Sequence, residues 1–252
     1  MRIFQYWNTG SPPDEVAGWI DGFRTLNPDM EHRLYDDDSA AWFIGKQLGP
    51  RERRAFETCA APAMRADYFR LCAILAKGGL YVDADLQCLA PLKSLLRRAP
   101  HAMMFMWNGA MTNSFMMFRR PGDPFVAACL KLVTENVEAR RFDSPFIATG
   151  PAIPNVLRAV LEPGWVAEEQ ITHAWMRELM GLVRPSLLEP EKVAASIAAL
   201  TLVHFLAADA WIGTPEAAYK STGVHWPNWK GPIYRNPDEG PLPKARPSRP
   251  AL

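Results

Sequence analysis

The 252-residue sequence is short of several things. It has only four cysteines, Cys59, Cys72, Cys88 and Cys129, with no Cys-x-x-Cys pair. Neither a zinc ribbon nor a dithiol redox motif is therefore available, and buried reduced thiols are expected. It has no excess of either charge: 28 Lys and Arg against 27 Asp and Glu leave +1, too little for the basic field that holds nucleic acid. The longest apolar stretch, residues 193–208, falls short of the ~20 residues of a membrane span. Ser196, Thr201 and His204 interrupt it, so it belongs in a core. The opening MRIFQYWNTG meets a glycine and two prolines too soon for the apolar heart of a secretory leader, so a cytoplasmic location is expected. What is present, 48% hydrophobic and 22% charged residues, is the composition of a folded globular chain.

Strands and helices alternate in the pattern. Residues 2–7 and 32–35 read as strands around an amphipathic helix over 13–26, whose Val16, Ile20 and Phe23 share a face. The second strand ends in Asp36-Asp37-Asp38. Helices follow around 39–48 and over 62–77, the latter with Met64, Tyr68, Leu71, Cys72 and Leu75 at helical spacing. Gly78-Gly79 stops that helix before a strand at Leu80-Tyr81-Val82. Further strands at 101–107 and 114–118 and a long helix over 124–142 complete an α/β layered fold. One domain is expected over 1–226. The tail, 227–252, holds seven prolines in 26 residues, and an extended or partly disordered segment is expected there.

Chemistry concentrates in one stretch. Asp67 and Arg70 lie one helical turn apart, and the strand after the glycine pair runs into Asp83-Ala84-Asp85. Side chains alternate along a strand, so Asp83 and Asp85 leave its end on one face, and two hard carboxylates so placed suit Mg²⁺ or Mn²⁺. A metal held there can neutralise a departing diphosphate. Alone, such a pair is more often a solvated turn, and Asp67 with Arg70 could be an ordinary surface ion pair. Trp7 could equally be core.

The conjunction is more specific. Asp67-x-x-Arg70, Gly78-Gly79-Leu80-Tyr81 and Asp83-x-Asp85 closely resemble the glycosyltransferase family containing the DXD sugar-binding region, which includes the yeast initiating α-1,6-mannosyltransferase and bacterial capsular and lipopolysaccharide enzymes. Gln5-Tyr6-Trp7, Trp19 with Asn27-Pro28-Asp29-Met30-Glu31, Asn113-Ser114-Phe115-Met116, Arg120-Pro121-Gly122-Asp123-Pro124 and Thr149-Gly150-Pro151 are similar to further segments of that family in the same order. The resemblance implies a GT-A type nucleotide-diphospho-sugar transferase fold with a mixed sheet, a bound Mn²⁺ or Mg²⁺, and retaining transfer to a glycan or lipid-linked glycan in bacterial polysaccharide biosynthesis. By position it implies that Trp7 stacks on the nucleotide base. Asp67 and Arg70 would hold ribose and sugar or diphosphate, Tyr81 would line the pocket, and Asn113 would face the donor sugar. Asp83 would contact ribose and metal, with Asp85 the direct metal ligand.

The family also closes its metal site from a C-terminal loop, roughly His-His-x-x-x-Ser-Trp. Two segments compete for that part: His204 with Asp209 and Trp211, which is preferred, and His225 with Trp229 and Lys230. No general base is named, because in retaining transfer the leaving phosphate can take the acceptor's proton. A non-catalytic sugar-nucleotide or glycan-binding protein and a protein-glycosylating effector remain alternatives. A phosphatase using the first Asp of the pair is disfavoured, since no Thr follows soon after. Arg51, Arg53, Arg54, Arg97, Arg98, Lys244, Arg246 and Arg249 could meet an anionic leaflet, though clusters so small usually make a solvated face.

Overall fold

The computed structural model describes residues 1–162, 174–216, 218–221, 226–236 and 238–239. The chain opens with β1 (Arg2–Tyr6), α1 (Asp14–Leu26) and β2 (Glu31–Tyr35), then three helices, α2 (Asp37–Gln47), α3 (Pro50–Thr58) and α4 (Pro62–Lys77). After β3 (Gly79–Val82), β4 (Gln87–Cys88) and the short α5 (Lys93–Leu96) come β5 (Ala102–Trp107) and β6 (Ala110–Phe118). Helices α6 (Pro124–Ala139), α7 (Pro145–Ala148), α8 (Ala152–Leu161), α9 (Ala174–Ser186) and α10 (Pro190–Ala198) lead to β7 (Leu200–His204) and β8 (Ile212–Gly213).

Six strands form one sheet in the order β2-β1-β3-β6-β5-β7, and β4 pairs with β8 in a separate two-stranded ribbon. β1 runs parallel to β2 and β3, β6 is antiparallel to β3 and β5, and β7 is parallel to β5. The sheet is therefore mixed, and both its faces are covered. Along β3, Tyr81 points into one core with Phe4, Tyr6, Phe69 and Met116, while Leu80 and Val82 point into the other with Ile3, Phe105 and Phe115. A strand buried on both faces loses the polar–apolar alternation of a one-sided strand. All four cysteines are free and buried, as their spacing predicts.

The glycine pair earns its place between α4 and β3. Gly78 has φ +61° and Gly79 φ +108°, and a Cβ on Gly79 would stand 2.7 Å from the carbonyl oxygen of Arg2. Both the left-handed backbone and the close approach of β1 exclude a side chain. Two expected boundaries move for local reasons. The 124–142 helix ends at Ala139 because Arg140 turns left-handed at φ 48°. The strand expected from Ser114 begins at Ala110, because Asn108-Gly109, both at positive φ, close a two-residue hairpin between Trp107 and Ala110.

The proline-rich segment is not wholly apart from the body. Cys59 and Tyr234 form an antiparallel bridge, with Ala60 N–H donating to Ile233 and Arg235 N–H to Thr58, and Ile233 is buried. Among the described residues no helix is long and apolar enough to cross a membrane.

Candidate active site

A cleft opens beyond the carboxyl ends of the parallel strands β1 and β3, where α/β sheets usually bind ligands. Trp7 and Asn8 follow β1, Asp83, Ala84 and Asp85 follow β3, Asp67 and Arg70 come from α4, and Asn113 comes from β6. Pro145, Phe146 and Pro151 form a further wall, and Tyr219 lies across from Trp7.

Asp83 is held tightly. Its N–H donates to Ser114 O at 2.8 Å, and its Oδ1 accepts from Arg70 Nη2 at 2.9 Å and Tyr81 OH at 3.0 Å. Burial raises its carboxyl to about 7; Arg70 works against this, while Asp85 and Asp67 add to it. Arg70 also donates through Nη1 to Asn113 O at 2.6 Å and lies 4.8 Å over the Tyr81 ring. Asp67 accepts from Asn113 Nδ2 at 2.8 Å and Thr149 Oγ1 at 3.1 Å, and it stands 3.2 Å from Arg70 Nη2. Burial pushes the Asp67 carboxyl up, opposed by the Arg70 charge.

Asn113 reaches this knot because the β5–β6 register breaks between Met104 and Phe105: Met104 faces Met116, but Phe105 faces Thr112. The intervening Asn113, Ser114 and Phe115 bulge out of the ladder with β5 and turn towards β3, where Phe115 still pairs with Val82. Bulges re-aim side chains in this way.

Asp85 is held differently. Its Oδ2 accepts from Tyr219 OH at 2.7 Å and lies 3.0 Å from Lys220 Nζ, both on the short 3₁₀ turn Ala218–Ser221. The Tyr219 ring stands edge-on to Trp7, with centroids 5.1 Å apart. Asp83 Oδ2 and Asp85 Oδ1 accept no hydrogen bond among the described residues, which leaves two hard oxygens for a cation. No group of three or more His, Cys, Asp or Glu among the described residues could hold a metal. That donor set fits Mg²⁺ or Mn²⁺, which commonly take one or two carboxylates and complete their shell with substrate phosphates and water.

Trp7, Asp67, Arg70, Tyr81, Asp83, Asp85 and Asn113 thus come together. His204, Asp209 and Trp211 do not join them. β7 sits at the sheet edge with β5 and β6 between it and β3, about 14 Å away at the usual strand spacing. His204 is exposed there, its Nδ1 accepting from Leu206 N–H and its ring beside Trp107. Asp209 is exposed in the following turn, and Trp211 donates to Ser94 Oγ beneath Arg98. Trp229 donates to Pro232 O and packs on the core, and Lys230 is exposed. Neither lines the cleft. His225 lies outside the described residues.

The sequence carried signals for Thr149, inside Thr149-Gly150-Pro151, but none for Tyr219, Lys220 or Phe146. The acidic run Asp36-Asp37-Asp38 proves architectural: Asp36 and Ser39 form a capping box on α2, and Asp37 pairs with Arg65 and Tyr6 OH.

Fold and cleft together define an α/β protein of the GT-A type, with its DxD carboxylates at the end of a parallel strand. Residues 13–102 match the glycosyltransferase sugar-binding region containing the DXD motif, the family that the motifs resemble. The chain is 30% identical over 95 residues to the initiation-specific alpha-1,6-mannosyltransferase of Schizosaccharomyces pombe, covering 35% of this chain and 23% of that protein. It is 27% identical over 161 residues to inositol phosphoceramide mannosyltransferase 3 of the same yeast, covering 62% and 43%. The matched stretches thus span less than half of either relative. Among solved structures, PaToxG glycosyltransferase shares the fold with a TM-score of 0.52 at 12% identity, covering 78% of this chain and 85% of that one.

Proposed function

We propose that this chain is a metal-dependent, retaining glycosyltransferase that moves a sugar from a nucleoside-diphosphate sugar to a hydroxyl of a glycan or lipid-linked glycan, in the assembly of a polysaccharide. The observation that carries the reading is the Asp83-Ala84-Asp85 corner: one carboxylate is locked by Arg70 and Tyr81, the other is reached by Tyr219 and Lys220, and an oxygen on each is left for a cation.

Trp7 offers an aromatic face to the nucleotide base at the rim of the cleft. Asp83 and Asp85 hold the Mn²⁺ or Mg²⁺, which when bound neutralises charge on the leaving diphosphate. Arg70 acts mainly inward, fixing Asp83 and the Asn113 backbone. Asp67, tied to Asn113 and Thr149, sets the Asn113 side chain towards the sugar. In the transfer, the acceptor oxygen bonds to the anomeric carbon as the bond to the diphosphate oxygen breaks, and the hydroxyl proton passes to that oxygen. A glycosidase-like pair of carboxylates flanking the scissile bond is not called for, since Asp83 and Asp85 come from one corner.

The test is release of nucleoside diphosphate from UDP- and GDP-sugars, mannosyl donors first because the relatives are named mannosyltransferases. It is run with and without Mn²⁺ and beside Asp85→Asn. Slow hydrolysis of one donor, only with metal and only by the parent, is expected. A donor that stabilises the protein with metal but is never turned over, even with glycan acceptors present, would indicate the non-catalytic binder instead.

A further inference from the structure

Lys220 and Asp85 make an unusual pair for a metal-binding corner. The ammonium lies 3.0 Å from Asp85 Oδ2, the oxygen that Tyr219 OH also holds at 2.7 Å. A divalent cation coordinated by Asp85 would sit beside that ammonium, and two cations on one carboxylate repel. The pair is partly shielded, with the Lys220 side chain 30% exposed and that of Asp85 21% exposed, so water screens the repulsion only in part.

Tyr219 and Lys220 belong to one short 3₁₀ turn. Besides Asp85, the turn meets its surroundings through the Tyr219 N–H to Glu15 Oε1 at 3.4 Å, the edge contact with Trp7, packing of Tyr219 beside Val16, Ile20 and Ala84, and Asn228 Nδ2 donating to Lys220 O at 2.9 Å. From these contacts, and resting on the metal-dependent reading above, we infer that Lys220 is a positioning residue that competes with the divalent cation for Asp85. While Lys220 is on Asp85, the turn draws Tyr219 against Trp7. When the cation sits on Asp85 Oδ1, its charge weakens the ammonium's hold on Oδ2, and with it one of the turn's ties to the rim where the base would lie. Linkage makes this reciprocal: whatever holds the turn down weakens the metal, and the metal frees the turn by the same factor.

The test is Mn²⁺ binding to the full chain without nucleotide, read from the free-Mn²⁺ electron paramagnetic resonance signal, for the parent, Lys220→Met, Lys220→Arg and Asp85→Asn. Lys220→Met is expected to tighten Mn²⁺ about two- to five-fold, the worth of a partly exposed ion pair. Lys220→Arg, which keeps the charge and guards against a folding artefact, is expected to stay near the parent. Asp85→Asn should abolish the tight site. Tryptophan emission should change on Mn²⁺ addition in the parent, less in Lys220→Met, and not once Trp7 is replaced by Phe. Equal Mn²⁺ affinity in parent and Lys220→Met, with Asp85→Asn still abolishing the site, overturns the competition alone and leaves the functional reading standing. No Mn²⁺ binding by any variant, also when a nucleoside diphosphate is added, overturns both.

Discussion

The two carboxylates of the DxD corner, separated by one residue, are about equally shielded, with side chains 25% and 21% exposed, but are held by very different partners. Asp83 is part of a buried knot in which α4, β3 and β6 exchange hydrogen bonds through Arg70, Tyr81, Asn113, Asp67 and Thr149. Asp85 faces a half-exposed turn that arrives from far along the chain and touches it through a phenol and an ammonium. A buried polar network is costly to break, because each orphaned group keeps its desolvation penalty. A single partly exposed ion pair is cheaper to rearrange. One side of the cleft is thus built to stay and the other to yield.

The largest effect should come from cutting the knot. Arg70→Met leaves the buried Asp67 and the quarter-exposed Asp83 without their cation, and the expected loss is about 3 kcal/mol of unfolding free energy in urea. Arg70→Lys should recover only part, since an ammonium cannot reproduce the forked contacts to Asp83 and Asn113. A loss under about 1 kcal/mol, in the range of a surface pair, would erase the contrast between the two carboxylates.

A second probe enters the knot from behind. His32 Nε2 lies 2.7 Å from Gln5 Oε1, and Gln5 Nε2 reaches the Asp83 carbonyl at 3.4 Å. Burial, with help from Arg24, pushes the His32 imidazole down to about 4. The folded protein therefore binds fewer protons than the unfolded chain between about 4 and the ordinary value near 6.5, so His32 stabilises above that window and its contribution is lost as pH falls through it. The full loss is about 3 kcal/mol at most. Asp83, raised to about 7, acts with opposite sign over an overlapping window, since its folded form holds the extra proton. The useful quantity is hence the difference between the parent and His32→Asn. The parent should lose stability relative to the variant as urea titrations step from pH 7 to pH 4. A parallel pair of curves would show His32 outside this network.

The same contrast explains what the sequence reveals. The fixed side of the cleft comes from residues 67–113, where motif order and local rules suffice: helical spacing up to Lys77, two glycines with positive φ, then a strand that delivers Asp83 and Asp85. The turn that meets Asp85 has no such local rule. Its place depends on β7 joining the far edge of the sheet beside β5, and on β8 returning to β4. Neither strand order nor a two-residue ribbon can be read from hydrophobic periodicity. His204 and Trp211 match the family's closing loop in composition, yet among the described residues the chain returns to Asp85 at Tyr219 and Lys220, eight and nine residues beyond Trp211. Asn113 was marked by its motif, but its aim depends on the register break opposite Met104 and Phe105, which only the paired strands show.

Trp211 supplies a control between the extremes. Held by Ser94 and Arg98 away from the cleft, it should leave Mn²⁺ affinity unchanged when replaced by Phe and cost about 1 kcal/mol of stability for the lost hydrogen bond. A Trp211→Phe variant that bound Mn²⁺ more weakly would return the 204–211 segment to the site.

The smallest global effect is expected at Tyr219→Phe. The phenol makes a 2.7 Å hydrogen bond to Asp85, which by itself would suggest a measurable loss. On the inference above, however, the turn lets go of Asp85 while the core stays folded, and such local opening does not report on global unfolding. Stability in urea should therefore stay within about 0.5 kcal/mol of the parent. The change should appear locally instead, as faster amide exchange over residues 218–221 and a shift in tryptophan emission that a Trp7→Phe background removes. A global loss as large as that of Arg70→Met would mean that the turn is part of the knot, and that both carboxylates are held by one cooperative unit.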